Sequence, residues 1–423
     1  MQRSFVHFAM AALMIISLAA CTDHRELLAP TRPNAATSIG GGGLGGPPPF
    51  TSPTDLMEIS AGNYHTCVRR RDGQIYCWGM NLHHQTGDTS NTFCGLYPPS
   101  IPCTPLPVRV RLPLGNGTSI PSTRVTAGWE HTCALDTLKT AWCWGLNDNG
   151  QTGIGSNSPT VPIPTRVAGS QTAFNALSAG GNGTCGSVVG LWCWGSYPQA
   201  SYPYPRTPNF MIASALNPLV VSDADICGNS GGGQWVCWGG NGSGQLGVDP
   251  ATTTSIPYFS PAPAINGATN VSLYSGDMCV DQPTGVTQCF GRNTVASSVP
   301  PLPTFGLLGN PSFTGTNSFV PQTSGAFHGI VVSSDHACAL DSFGNAFCWG
   351  VNDSGDLGNG TQQGSSTPQM VLGGLTFKAL AVGRTHTCGI TTNNHVWCWG
   401  DNYVGEIGAP TPGQTTGIPV KAM

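Results

Sequence analysis

The chain of 423 residues carries 58 glycines and 35 prolines, only 9% charged residues and a formal net charge of −4. Glycine and proline interrupt helices and strands alike, and no stretch sustains the 3.6-residue apolar period of a long helix, so the content selects short strands joined by many turns. No run of five or more Lys or Arg occurs, which removes the electrostatic footprint of a nucleic-acid binder.

In chain order, Arg3 precedes an apolar stretch over 8–20 that is too short to span a bilayer as a mature helix, so residues 1–20 read as an export signal. The stretch closes Leu18-Ala19-Ala20-Cys21, which resembles a bacterial lipobox. That resemblance implies lipidation of Cys21; an ordinary secretory signal with an incidental cysteine is the alternative. Asp23 stands one place later than the inner-membrane retention signal of Gram-negative lipoproteins, which favours the outer membrane or the surface. Residues 21–55 then form the lipidated N-terminus and a Gly/Pro-rich tether, and about 30 residues of coil span on the order of 30 Å. The folded body is expected over 56–423.

That body repeats itself. YHTCVRRRDGQIYCWG (64–79), EHTCALDTLKTAWCWG (130–145), NGTCGSVVGLWCWG (182–195), ADICGNSGGGQWVCWG (224–239), GDMCVDQPTGVTQCFG (276–291), DHACALDSFGNAFCWG (335–350) and THTCGITTNNHVWCWG (385–400) all place two cysteines around a turn. The third copy is two residues shorter, and losing one residue from each side of a turn leaves side-chain facing unchanged, as a hairpin requires. A β-prone run ends six residues before each first cysteine, and several copies close with PVRV (107–110), PTRV (164–167) or PQMV (368–371). Four short strands per copy cannot bury both faces of a sheet alone, but seven sheets packed radially can, so the expected fold is all-β, a seven-bladed propeller.

The pattern G-x-x-H-T-C-A-L, a turn, then C-W-G-x-N-x-x-G-Q-x-G, best kept in AGWEHTCALDTLKTAWCWGLNDNGQTG (127–153), resembles the repeat of the regulator of chromosome condensation family. The resemblance implies a seven-bladed β-propeller and a structural hydrogen bond from the recurrent histidine. It leaves function open, since the family includes exchange factors, kinase-partner modules and secreted inhibitors of β-lactamase. Added cysteine pairs and degenerate third to fifth copies depart from the family.

Cysteines facing each other across a hairpin stand at disulfide distance, and export permits oxidation. The expected pairs are Cys67 with Cys77, Cys133 with Cys143, Cys185 with Cys193, Cys227 with Cys237, Cys279 with Cys289, Cys338 with Cys348 and Cys388 with Cys398, and the leftover Cys94 joins Cys103. Zinc is the rival reading, but its ligand pairs lie closer in sequence. The aromatic residue after each second cysteine, Trp78 to Trp399 with Phe290 as the variant, reads as packing against the next sheet. His65, His131, His336 and His386 recur two places before the first cysteine, where a structural bond competes with metal or proton-transfer work. NDNGQTG (147–153) and NDSGDLG (352–358) read as turns rather than calcium loops. No catalytic set, metal site or cofactor motif is nominated.

Selectivity is therefore expected in the unrepeated stretches. Phe93 and Tyr97 in 80–106, and Tyr197, Tyr202, Tyr204 and Arg206 in 196–210, supply aromatic and cationic content suited to recognition. The functional expectation is a non-catalytic, envelope-anchored monomeric propeller that binds a protein or a cell-wall glycan through blade loops. The alternative is an exported hydrolase or lyase with its site at the central channel.

Overall fold

The computed structural model describes residues 56–423 apart from 91, 96–99, 115–116, 170–172, 199, 294, 297–303 and 310–325. They belong to the larger of two units of the chain, 47–423. The expected export signal, Cys21, the tether and Tyr97 lie outside the described residues.

Seven antiparallel sheets follow one another along the chain, each made of consecutive strands. In blade two the strands are Ser122–Ala127, His131–Asp136, Ala141–Leu146 and Thr160–Arg166, from the channel outward. Blade five has three strands among the described residues, ending with Thr287–Gly291, and a ribbon of Val295–Ala296 with Thr304–Phe305 follows it. The second and third strands of every blade are the cysteine hairpin. Cys133 stands opposite Cys143 in register, and the shorter hairpin of blade three still sets Cys185 opposite Cys193. All seven hairpin pairs are bonded, with Cα atoms 4.1 or 4.2 Å apart, and Cys94 is bonded to Cys103.

Outer strands share a register. The residue opposite the second cysteine follows a proline in five blades: Val108 after Pro107, Thr165 after Pro164, Asn209 after Pro208, Gln369 after Pro368 and Val420 after Pro419. Proline has no N–H to offer a ladder, so its place is on the outermost strand. After each hairpin the glycine at Gly79, Gly145, Gly195, Gly239, Gly291, Gly350 and Gly400 has φ between 80° and 140°. A Cβ at Gly79 would stand 2.4 Å from the Tyr64 carbonyl oxygen. The position needs glycine for conformation and for room alike.

Side chains alternate along a strand, so neighbours in the CWG motif face opposite seams. Cys143 faces blade three beside Phe174 and Trp194, and Trp144 faces blade one beside Ile75, Cys77 and Val110. The tryptophans are core, as expected, but they pack on the preceding blade rather than the next. Trp78 closes the ring by the same packing, among Ile390, Val396 and Ile407 of blade seven. Among the described residues no strand is shared across this closing seam; blade seven runs from Phe377–Val382 to Thr416–Lys421, and blade one starts at Leu56–Ala61.

The four histidines are spent one per seam. His65 Nε2 lies 2.9 Å from Thr132 Oγ1 of blade two, His131 is 2.8 Å from Thr184 of blade three, His336 is 2.7 Å from Thr387 of blade seven, and His386 is 2.8 Å from Thr66 of blade one. The hydroxyls of Thr132, Thr184 and Thr387 donate onward to the carbonyls of Gln85, Gln151 and Asp356, at 2.8, 3.0 and 3.2 Å. A hydroxyl has one proton, so there the histidine donates from Nε2. Burial holds all four imidazoles down to about 3. Where the histidine is replaced, by Gly183, Asp225 or Asp277, the next blade carries no threonine either; it has Ile226, Met278 or Ala337. The first glycine of G-x-x-H also has a cause, because a Cβ on Gly128 would lie 2.1 Å from His131 Cε1.

Thr387→Val keeps shape but strips the buried His336 N–H of its acceptor and the Asp356 carbonyl of one of its two donors. We expect a loss of about 1–3 kcal/mol, read as a lower guanidinium midpoint of the oxidised protein with unchanged slope.

Candidate recognition groove between blades three and four

After its third strand a typical blade makes an Asn-stapled turn. Asn147 Oδ1 accepts from the Thr152 amide at 3.2 Å while its Nδ2 donates to the carbonyls of Ser156 and Ser158. Asn81, Asn241, Asn352 and Asn402 repeat the device. The turn then presents one carbonyl to the next blade's tryptophan. Trp144 donates to Gln85 O at 3.0 Å, Trp399 to Asp356 O at 2.8 Å and Trp78 to Glu406 O at 2.8 Å. Blade five does this with Leu307, whose carbonyl accepts from Trp349 at 2.7 Å, while Asn293 accepts from the Leu308 amide. GLLG (306–309) is thus the turn of blade five, separated from its asparagine by an insertion.

Blade three has no such turn, because SYPQASYPYPRTPNF (196–210) stands in its place. Tyr197 covers the next blade's Trp238 instead, ring edge to ring face with centroids 5.9 Å apart. Its hydroxyl accepts from Asn209 Nδ2 at 3.1 Å, and burial pushes the phenol up. A smaller cover leaves space. A groove of about 530 Å³ opens between the outer strands Asn209–Ile212 and Ser255–Pro261, with Tyr197 and Trp238 in its floor and Met211, Pro203, Tyr258 and Phe259 on its walls. None of its lining residues carries a charge, and its volume falls in the range that takes a small molecule or a short peptide segment.

The sequence candidates separate on this geometry. Tyr197 is a core residue, 6% exposed, which corrects its reading as a free recognition side chain. Arg206 is likewise engaged; its guanidinium donates to the carbonyls of Asn147, Ser156 and Asp148 at 3.0, 3.2 and 2.9 Å, latching the segment to blade two. Tyr202 is 85% exposed beside the half-buried Tyr204, with their rings 5.8 Å apart. Phe93 is exposed on blade one, in a strand pair with Pro102, but Cys94 and Cys103 beside it pack with Val404 of blade seven. The two excursions therefore lie at different seams, and the structure does not join them in one site. Tyr258 and Phe259 escaped the sequence reading, which placed Trp238 in the core but did not show the groove above it. Their signal was the missing N-x-x-G-Q-x-G after Gly195, together with Phe259 where five outer strands have proline.

The channel mouth offers less room. Tyr274 of blade five reaches Asn63 of blade one, donating to Oδ1 at 3.2 Å, and its phenol is pushed up to about 12 by burial. Asp335 lies 3.6 Å from Arg384, whose Nη1 donates to Tyr64 Oη. Titratable groups do meet here, but the cavity is about 140 Å³, well under the usual size of a substrate pocket. Tyr197→Ala should cost about 3 kcal/mol or more as a large-to-small core change, and Tyr202→Ala should stay within about 0.5 kcal/mol; guanidinium unfolding of the two variants checks both.

Two models described as regulator of chromosome condensation (RCC1) repeat match the chain, one at 58–85, 123–151 and 377–406, the other at 72–135 and 344–390. The ultraviolet-B receptor UVR8 of Arabidopsis thaliana is 33% identical over 102 residues, 24% of this chain and 20% of that protein. The mitochondrial RCC1 domain-containing protein RUG3 of Arabidopsis thaliana is 25% identical over 193 residues, 44% of this chain and 39% of that protein. The probable E3 ubiquitin-protein ligase HERC6 of Homo sapiens is 33% identical over 105 residues, 25% of this chain and only 9% of that protein. The matched stretch spans well under half of each. Prp20p of Saccharomyces cerevisiae superposes with a TM-score of 0.66 at 16% identity, covering 88% of this chain and 87% of that one. Human WBSCR16 gives 0.67 at 16% identity, over 83% and 94%. With its cysteine hairpins, stapled turns and seven sheets, this chain carries regulator of chromosome condensation (RCC1) repeats and folds into their seven-bladed β-propeller.

Proposed function

We propose that this protein is a non-catalytic recognition propeller, anchored to a bacterial envelope through lipid on Cys21, that binds a protein partner in the groove between blades three and four. The groove carries the reading, because it lies where the fold omits its own interblade plug and exposes uncharged aromatic surface in its stead. Rigid aromatic walls lose little conformational entropy when they are covered, and a floor fixed by Tyr197 on Trp238 is preorganised for an apolar segment. Tyr258, 80% exposed, lines the groove, and the exposed Tyr202 lies in the chain between two lining residues, Ser201 and Pro203, so both are side chains that contribute little to the fold. Among named neighbours, Prp20p is described by its binding to Gsp1p and histones, and protein recognition on a propeller is the part of that description that suits this chain.

Envelope extract passed over immobilised wild type and a Tyr202→Ala/Tyr258→Ala variant tests the reading. Protein partners retained by wild type and lost at least tenfold by the variant support it. Equal retention by both, or capture of glycan alone, would overturn it. The anchor has its own test in mass spectrometry of the mature N-terminus, where an acylated Cys21 is expected and a mature chain starting elsewhere refutes it.

A further inference from the structure

Five blades bury the residue four places after the stapling asparagine. It is Gln85, Gln151 and Gln245 in blades one, two and four, but Asp356 and Glu406 in blades six and seven. All five accept the same bond. The amides of His83, Asn149 and Ser243 donate to the carboxamide oxygens at 2.9, 2.9 and 3.1 Å, and those of Ser354 and Val404 donate to Asp356 Oδ2 and Glu406 Oε2 at 3.3 and 2.9 Å. The other end of the carboxamide is a donor; Gln151 Nε2 donates to Asp148 Oδ1 at 3.1 Å and reaches Asn182 of blade three at 3.5 Å. A carboxylate has no proton to put in that place, whereas a carboxylic acid has one.

We propose that Asp356 and Glu406 are kept as neutral carboxylic acids that imitate the glutamines of the other blades, and that loss of the Glu406 proton weakens the seam closing the ring. Glu406 sits at that seam, its carbonyl accepting from Trp78 of blade one. On its own blade it faces Asp401, which repels a second negative charge. On blade one, the residue in the place of Asn182 is Tyr64, which accepts from Arg384, and beyond it the neutral His65. Arg384 is itself engaged by Asp335. Asp356 faces Asp401 and Asp335, with Asp353 where blade two has Asp148, and Thr385 and the neutral His386 on blade seven. Burial first, then Asp401, pushes Glu406 up to about 8, and burial pushes Asp356 well above the carboxylate range.

The sign follows from the raised folded-state value. The contribution is complete below the unfolded value of 4.5 and is lost as pH climbs through about 8, by up to about tenfold in the unfolding constant per pH unit. The four buried histidines act in the opposite sense below their ordinary value, so the measurement must be differential. Guanidinium unfolding of the oxidised chain and of Glu406→Gln across this range isolates the group. The two proteins should be equally stable at the acid end. The variant should then gain on wild type by up to about tenfold per pH unit and run parallel above about pH 8. At neutral pH the infrared difference between them should contain the carbonyl band of a protonated carboxyl group. Parallel stability curves throughout, or no such band, would overturn the proposal. So would failure of Glu406→Gln to fold, since glutamine serves this position in three other blades; Asp356→Asn repeats the comparison at the seam between blades six and seven.

Discussion

The ring depends on a main-chain carbonyl that accepts twice. Gln85 O takes the hydroxyl of Thr132 and the indole N–H of Trp144, and Asp356 O takes Thr387 and Trp399. Two lone pairs thereby satisfy two donors that packing has removed from water, and an unpaired buried donor would cost more than the bond returns. The constraint propagates backward through sequence. The turn must be stapled by asparagine to aim the carbonyl, the threonine must accept from a histidine, and the histidine needs a glycine beneath its ring. One acceptor thus accounts for most of the recurrent polar residues.

The chain does not apply this device evenly. Seams after blades three, four and five lack the histidine and threonine together, and the first of them also lacks the stapled turn. Aromatic packing takes over there, with Trp238 held between Tyr197 and Phe259. Specific polar geometry has been exchanged for less directional contact in the sector that carries the groove. Buried carboxyl groups appear in the same sector, where Asp225 and Asp277 occupy histidine positions and burial pushes them up to about 7 and about 8. Irregularity of the repeat at this seam is what gives its groove an uncharged, aromatic lining.

Cysteine spacing, the glycine after each aromatic residue and the count of seven were enough to read the hairpins and the ring, because those features act within one blade. What escaped acts between blades. The partner of His131 is Thr184, 53 residues away, and only a comparison of each histidine with the following blade's threonine exposes the pairing. Tyr197 looked like a loop residue since nothing in its own segment buries it; its cover is Trp238 of the next blade. GLLG (306–309) was hidden by an insertion that parts it from Asn293. The prolines of the outer strands were visible but their register was not, and that register explains why rim strands offer poor templates for pairing with another chain.

Side-chain contacts between the first and last blades close the ring, and this has a consequence for how it assembles. Ordinary seams join residues 51 to 67 apart, but Thr66 meets His386 across 320 positions. Blades one to six can condense in turn, each against a neighbour already made, and Trp78 must wait without its acceptor until the turn carrying Glu406 is in place. The sixfold longer loop adds only about 1.5 kcal/mol of closure entropy. The delay is instead one of availability: a chain in which blade seven has not yet formed keeps one indole face open, the kind of apolar surface that quality-control machinery reads.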